Sequence, residues 1–464
     1  MYILHLLGEK VNLKNVKKVI ERKKIMKVAF HNLGCKVNSY ETYAMEQQMK
    51  EKGYEIVSFE SKADIYIVNT CTVTNIADRK SRQMLHKAKK MNENAIVVAV
   101  GCYVQAAGDK LKEDMSVDLL IGNNNKAKIA DIIDEYINNK NENLILKDLS
   151  MPCDYEDMSM TTVTEHTRAF IKIQDGCNQF CTYCIIPYAR GRIRSRKLDD
   201  ILNEISALAK QGYKEIVLTG IHLSSYGKDL KDEDIRLVDV IEEISKIEGI
   251  MRIRLGSLEP SIITEEFMDR VSKIEAFCPH FHLSLQSGCD TVLKRMNRHY
   301  DTSKYYDGCQ LIRKYYPLAA ITTDVIVGFP QETEGEAKIT KEFLEKVAFA
   351  EMHIFKYSKR EGTKAAVMSG QVDEQIKNVR SDELLILNKN LRNEFISKFL
   401  GKCTTVLFEE QVEIEGKPYF VGFTKEYVKV AVQSEEDISN EIIEVKINEL
   451  LNNEILLAEI KKIY

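Results

Sequence analysis

Three cysteines crowd one short stretch, Cys177-Asn178-Gln179-Phe180-Cys181-Thr182-Tyr183-Cys184, with the spacing Cys-x3-Cys-x2-Cys. Thiolates are the standard ligands of iron–sulfur clusters, and three so close in sequence wrap one cubic cluster. With only three, one iron lacks a protein ligand and is free to bind something else. A structural zinc site asks for four ligands, usually as two pairs, and no second pair lies nearby. Inert core cysteines rarely bunch this densely.

A second trio is spread through the first part of the chain. Cys35, Cys71 and Cys102 close the runs FHNLGC, YIVNTC and VVAVGC, each of which reads as a buried strand ending in a cysteine. In a parallel sheet the C-terminal ends of neighbouring strands face one crevice, so cysteines at equivalent strand ends converge. The expectation is a second three-thiolate site, again with a spare coordination position. Cys153, Cys278, Cys289, Cys309 and Cys403 share no such geometry and are read as incidental.

The elements that must position these thiols are legible as periodicity. Strand-like runs Lys27–Leu33, Asp64–Asn69, Ala95–Val100 and Val117–Ile121 alternate with helical patterns at Tyr40–Lys52, Asn75–Lys90 and Tyr103–Lys112. That alternation implies a parallel, Rossmann-like sheet over residues 26–138. Residues 139–162 lose periodicity and read as a linker. From 163 to 400 six further strand candidates recur, at Ala169–Gln174, Glu215–Thr219, Arg252–Leu255, His282–Leu285, Ile321–Val327 and His353–Tyr357. Between the first two, Leu198, Ile201, Leu202, Ile205 and Leu208 keep helical spacing until Gly212 stops it. Six units suggest a partial parallel barrel rather than a complete one of eight. Residues 401–464 carry short strands separated by turns, as in a small β-barrel.

Composition narrows the class. The chain of 464 residues is long for one domain, and its 44% hydrophobic and 29% charged content suits a globular protein. No apolar run is long enough to span a bilayer and no secretory pattern precedes the first strand, so the expected compartment is the reducing cytoplasm. The run from Met26 reads like a natural start, which marks residues 1–25 as either a tail or a misplaced start. A net charge of -4 gives no general attraction to nucleic acid, so any RNA contact must come from local basic patches.

The cysteine loop, with Tyr183 before its last thiol, resembles the signature of the radical-SAM superfamily. That resemblance implies a partial (β/α)6 barrel in which Cys177, Cys181 and Cys184 are the catalytic ligands of a 4Fe–4S cluster that binds S-adenosyl-L-methionine. It also implies cofactor contacts from Tyr183, from Gly220, Ile221 and His222, from Ser257 and Glu259, from Ser284 and Gln286, and from Val327, Gly328 and Phe329. All but Tyr183 lie at or just past a strand end.

The Cys35/Cys71/Cys102 trio, with Gly34-Cys35-Lys36-Val37-Asn38 and Asn69-Thr70-Cys71-Thr72-Val73-Thr74, resembles the N-terminal domain of methylthiotransferases, and the tail resembles a TRAM domain. GCKVNSYE, Met296-Asn297-Arg298-His299-Tyr300 and Tyr357-Ser358-Lys359-Arg360-Glu361-Gly362-Thr363 are similar to the branch that modifies threonylcarbamoyladenosine in tRNA. The sister branches act on isopentenyladenosine in tRNA or on an aspartate of a ribosomal protein. The resemblance implies two 4Fe–4S clusters, S-adenosyl-L-methionine, a tRNA substrate, an external one-electron reductant and a sulfur donor. It implies radical abstraction of hydrogen from adenine C2, sulfur insertion at the second cluster, and methyl transfer from a further S-adenosyl-L-methionine.

Arg190, Arg192, Arg194 and Arg196 alternate along the chain and lead into Lys197. If extended, they present several guanidinium groups on one side, ready for RNA phosphates. Against this, residues 401–464 hold seven Lys, no Arg and thirteen Asp plus Glu, a charge balance ill suited to gripping tRNA. That imbalance keeps the ribosomal-protein branch open at this stage.

Overall fold

The computed structural model describes residues 25–114, 116–139, 143–151, 153–160, 167–231, 234–452 and 454–461. The rest of the expected N-terminal extension, residues 1–24, lies outside them.

The first sheet contains β1 (Lys27–Asn32), β2 (Glu55–Val57), β3 (Ile65–Thr70), β4 (Ile96–Gly101), β5 (Leu119–Ile121) and β6 (Leu144–Ile145) in the order β2-β1-β3-β4-β5-β6. Every pairing in it is parallel. β3 is buried along its whole length, as a continuous apolar run in a doubly covered sheet should be. Helices α1 (Lys36–Glu51), α2 (Asn75–Met91), α3 (Cys102–Leu111) and α4 (Ile129–Asn139) form its crossovers. Thr74 caps α2, its side chain accepting from the Ala77 amide.

Within the expected linker, residues 139–162, the described residues 143–151 and 153–160 pack against both sheets. β6 adds an edge strand to the first sheet, Met158 and Met160 are buried in its core, and the Tyr155 hydroxyl donates to the Lys172 carbonyl at 2.7 Å. A two-residue strand is too short to leave a period-2 signature, so the sequence pattern hides it.

The second body is the half-barrel. β7 (Arg168–Asp175), β8 (Arg194–Ser195), β9 (Glu215–Gly220) and β10 (Arg252–Leu255) pair in the order β10-β9-β7-β8, with β8 antiparallel. β11 (Ser257–Leu258), β12 (His280–Leu283), β13 (Ala320–Val327) and β14 (Glu351–Lys356) continue as a second parallel sheet. A bridge between Ile253 and Phe277 joins the two. Counting β10 and β11 as one broken strand gives the six parallel units expected. The outward faces of these strands pack on helices: Ile171 and Ile173 of β7 and Val325 of β13 join Ile201, Ile205, Leu344 and Val347 in one core. The inward faces line a lumen.

The third body is a closed five-stranded barrel of β15 (Cys403–Ile414), β16 (Lys417–Phe423), β17 (Lys429–Val432), β18 (Ile442–Leu450) and β19 (Leu456–Ile460), in the order β15-β16-β17-β19-β18. The last strand, absent from the sequence reading, is the one that closes it. Its β16–β17 connection seals the end of the lumen opposite the cysteine loop. Arg252 donates to the carbonyls of Phe423 (2.7 Å) and Thr405 (3.0 Å), and Arg254 to those of Lys425 (2.9 Å) and Thr424 (3.3 Å). Arg254 also lies 4.7 Å over the Tyr427 ring, and Tyr427 stacks on Phe423. No helix among the described residues is long and apolar enough to cross a membrane.

Arg254 and Glu215 are both buried, with Nε–Oε1 at 2.9 Å. Removing one partner of a buried pair strands the other charge. Arg254→Met is expected to cost about 3 kcal/mol, read as a lower guanidinium midpoint. A variant as stable as wild type would show that this docking contributes nothing.

Candidate functional site: two thiol trios on a shared ionic hub

The two trios form at strand ends, as the alternation of strand and helix requires. Cys35 is the residue before α1, Cys71 follows β3, and Cys102 opens α3 directly after β4. Two helix N-termini therefore aim partial positive charge at thiols that must be thiolates to bind metal. Cys35, Cys71 and Cys102 lie near enough for their charges to act on one another. Cys71 is buried, and desolvation pushes its thiol up to about 11. Cys35 is solvent-reached yet enclosed enough that burial raises its thiol too.

Gly34 makes room for the trio. At φ +110° its missing Cβ would fall 2.9 Å from Cys71 Cβ and 3.0 Å from Cys71 Sγ. Any side chain there would occupy the space between Cys35 and Cys71. The cradle thus fits a three-thiolate cluster ligand set.

Cys177, Cys181 and Cys184 lie in the loop after β7, and their charges likewise act on one another. Burial pushes Cys177 to about 11 and Cys184 to about 12. Gly176, at φ +69°, crosses so near the Arg192 carbonyl that a Cβ would overlap it at 1.8 Å. The loop is clamped from the far side of the barrel: Thr182 donates its amide to Met296 and its hydroxyl to Arg295, while the Asn297 amide donates to the carbonyls of Gln179 and Phe180 at 3.2 Å. Arg298 donates to Cys181 Sγ at 3.2 Å. The segment Met296–Tyr300, a branch signature in the sequence reading, is thus a mechanical part of the cysteine loop.

Beside this trio stands a polar wall. Gln179 donates to Glu259 at 3.0 Å, and His222 Nε2 lies 3.3 Å from the same carboxylate oxygen. Burial works against the charged form of Glu259, but His222 and Arg298 outweigh it and hold the carboxyl below its usual range. Its other oxygen, Oε1, is buried without a hydrogen-bond partner, with Arg298 Nη2 3.8 Å away as its ionic neighbour. An orphaned carboxylate oxygen next to the open face of the trio suits an ammonium group, as carried by the methionine end of S-adenosyl-L-methionine.

The other expected cofactor contacts divide. Gly220, Ile221 and His222 reach the wall, with the His222 amide held by Gln174 Oε1 at 2.7 Å. Ser257 is exposed at the strand break. The Ser284 carbonyl accepts from Tyr300 at 2.6 Å, and Gln286, at φ +71°, is buried in the loop after β12. The side chains of Val327 and Phe329 do not face this space, so a contact from Val327-Gly328-Phe329 to the cofactor would have to come from the backbone. Val327 lines a cleft of about 750 Å³ outside the barrel, Gly328 lies against Lys377, and Phe329 is buried against Tyr357. Strand parity turns Val327 outward. Phe329 meets Tyr183 edge-on at 6.5 Å and supports the cysteine loop from behind.

A correction concerns the arginine run. Arg190, Arg194 and Arg196 are buried, and only Arg192 and Lys197 are exposed, Arg192 lying 4.7 Å over the Phe180 ring. Arg190 donates to Asn38 (2.7 Å), Glu41 (2.9 Å), Asp175 (3.1 Å) and Cys102 Sγ (3.2 Å). Lys126 and Lys172 pair with the same Glu41, Lys172 and Arg194 with Asp175, and Arg196 with Glu204. Alternation predicts a solvated strand only if one face meets water, and here α1 covers it. Glu41, on a helix whose neighbours Tyr40, Ala44 and Met45 are core residues, was the available sign of a buried ionic partner.

Three lumen residues escaped the sequence reading altogether. His282, Asp324 and His353 sit on adjacent strands with ligand atoms within 4.8 Å of one another. Thr322 Oγ1 lies 3.0 Å from His282 Nδ1. No local spacing links them, because β12, β13 and β14 are joined only by the barrel.

Gly34→Ala puts a methyl group into the first trio at a strained φ. The variant is expected to take up about half the iron of wild type on anaerobic reconstitution, with half the absorbance near 400 nm, because each full cluster contributes about four irons. Full iron loading in this variant would show that the cradle does not hold a cluster.

Sequence comparisons agree with this geometry. Residues 27–122 match an uncharacterised protein family, UPF0004, and residues 171–344 match the radical SAM superfamily. The chain is 42% identical to the threonylcarbamoyladenosine tRNA methylthiotransferase MtaB of Bacillus subtilis (strain 168), over 90% of this chain and 93% of that one. It is 41% identical to the protein of that name from Aquifex aeolicus (strain VF5), over 83% and 93%. It is 34% identical to the tRNA-2-methylthio-N(6)-dimethylallyladenosine synthase of Acetivibrio thermocellus, over 94% and 91%. Among solved structures, the radical S-adenosylmethionine methyltransferase TsrM from Kitasatospora setae superposes with a TM-score of 0.56 at 14% identity, covering 74% of this chain and 77% of that one, which is a likeness of fold. With both trios in place and relatives matched over nearly the full length, the chain belongs to the radical-SAM methylthiotransferase family.

Proposed function

We propose that the protein methylthiolates C2 of N6-threonylcarbamoyladenosine next to the anticodon of tRNA, in the cytoplasm, using a reductant and a sulfur source external to the chain. Cys177, Cys181 and Cys184 would hold one 4Fe–4S cluster and Cys35, Cys71 and Cys102 a second. When bound, the clusters and S-adenosyl-L-methionine supply the one-electron chemistry that breaks an unactivated C–H bond, together with the sulfur and methyl groups. The chain's own residues bind, orient and shield. Glu259 accepts the methionine ammonium, Arg298 and Arg190 donate to ligand sulfurs Cys181 and Cys102, and Asn297 holds the cysteine loop in register.

The observation that carries this reading over the dimethylallyl one is the charge of the lumen. Lys36 follows Cys35 directly and lies 5.9 Å over the Phe170 ring of β7. Desolvation first, and then the guanidinium groups of Arg254 and Arg168, hold its ammonium below the usual lysine range. A carboxylate entering there would relieve that repulsion. The His282, Asp324 and His353 set adds further donors and acceptors. A threonylcarbamoyl group brings a carboxylate, a hydroxyl and a ureido group to meet them, whereas a dimethylallyl group could make none of these polar contacts.

Nucleoside mass spectrometry of tRNA from cells lacking the gene, with and without complementation, tests the reaction. The expected result is 2-methylthio-threonylcarbamoyladenosine on complementation only; unchanged nucleosides would sink the assignment. The two trios separate in variants. Cys184→Ala is expected to abolish S-adenosyl-L-methionine cleavage, while Cys71→Ala retains 5′-deoxyadenosine formation but yields no methylthio product. Full product from both variants would overturn the division of labour.

A further inference from the structure

Cys71 leads into α2 through Thr72-Val73-Thr74, and α2 is unlike the rest of the surface. It carries Arg79, Lys80, Arg82, Lys87, Lys89 and Lys90 against one acid, Asp78, in a chain whose net charge is -4. At 3.6 residues per turn the buried side is Ser81, Leu85 and Ala88. The opposite side presents Ile76, Arg79, Lys80, Gln83, His86 and Lys90, all exposed. Asp78 is turned off this face and held by Arg360 Nη2 at 2.8 Å and the Thr72 hydroxyl at 2.8 Å. The helix itself adds no negative charge to this face, and the one carboxylate against it is that of Asp114, 3.0 Å from His86.

Several cations of α2 have work inside the molecule. Arg82 donates to the Tyr103 hydroxyl, Lys87 pairs with Glu60 and Lys89 with Asp118. Arg79, Lys80 and Lys90 lie on the outer face with no hydrogen bond or ion pair among the described residues. Seventeen residues of helix are about 25 Å long, several phosphate spacings of a nucleic-acid backbone. The helix is also braced: the Asn75 amide donates to Ser358 and Arg360 donates to Asn75 and Thr72, so its start is fixed to the turn after β14, at the half-barrel's edge strand. Val73 and Ile76, 52% and 57% exposed, make an apolar lip there, beside Cys71.

We propose that the outer face of α2 is the surface that grips the phosphate backbone of the tRNA anticodon stem-loop, with Val73 and Ile76 at the point where the target nucleotide leaves the stack. This rests on the tRNA reading above and deepens it. Backbone phosphates ask for mobile, unpaired cations on a rigid support, without base-specific groups, and α2 offers that. The acidic C-terminal barrel does not, and its β16–β17 connection is committed to closing the lumen.

The test is tRNA binding to the full-length protein at a series of salt concentrations. Arg79→Gln, Lys80→Gln and Lys90→Gln are combined in one variant. Lys304→Gln, Lys338→Gln and Lys389→Gln, at exposed sites on other helices, are combined in a charge-matched control. Iron content and unfolding midpoint of the α2 variant should match wild type, since no intramolecular partner is lost. Its tRNA Kd is expected to rise roughly tenfold or more, and the slope of log K against log salt to flatten by about 2 to 3, one counterion-release increment per lost contact. The control should bind as wild type does. An α2 variant that keeps the wild-type Kd and slope, or a control that loses as much, overturns the proposal. If the wild-type protein binds tRNA without methylthiolating it, the reaction assignment falls and the difference between the two variants still decides the surface. If the wild-type protein does not bind tRNA, both readings fall.

Discussion

Arg190 is enclosed by protein and answers to partners from both halves of the molecule: Asn38 and Glu41 on α1, Cys102 at the start of α3, and Asp175 two residues before Cys177. A guanidinium taken out of water is tolerated only when its donors are met, so these segments must arrive together in one geometry. The planar fork makes that demand directional, which a lysine would not. Through this one side chain the crevice of the first sheet and the cysteine loop of the half-barrel are set against each other.

The hub is also unbalanced in sign. Lys126, Lys172, Arg190 and Arg194 share the fully buried carboxylates of Glu41 and Asp175, with Glu156 at the edge. Surplus buried positive charge is costly unless something negative stands near it. The cluster proposed for the first trio would stand there with a small net negative charge, its three thiolates outweighing the positive core, and Arg190 Nε already points at the Cys102 thiol. Cluster loading at that site would then be coupled to interdomain docking through electrostatics.

At its other end the lumen is closed by a different device built from the same chemistry. Arg252 and Arg254 cap carbonyls at and just after the end of β16, Glu215 pairs with Arg254, Tyr427 lies over the Arg254 guanidinium and Phe423 over that of Arg168. The C-terminal barrel therefore serves as a stopper as well as a surface. Between stopper and trios the lumen remains charged, a setting in which a polar substrate group gains partners and an apolar one loses water without replacement.

Local signals in the chain sufficed for much of this. The Cys-x3-Cys-x2-Cys loop declares its chemistry because its three ligands are neighbours along the chain. The second trio was readable at one remove, since Cys35, Cys71 and Cys102 each end a strand and parallel strands bring such ends together. Strand positions in the half-barrel followed from apolar periodicity for the same reason: one face of each strand meets helices. The environment of the arginines was not readable. Alternation says which residues share a face of β8 and its approach, but only the docking of α1 decides whether that face meets water or Glu41. Val327 and the His282, Asp324 and His353 set likewise depend on which side of a closed sheet a residue takes and on strands distant in sequence. By itself the sequence determined which cysteines group together and the order of elements, because both are carried by the spacing of residues and strands along the chain. The tertiary structure decided which charges are buried, what the lumen offers a substrate and which cations of α2 stay unpaired at the surface, because burial is a property of what packs against a residue, and that is not written beside it in the chain.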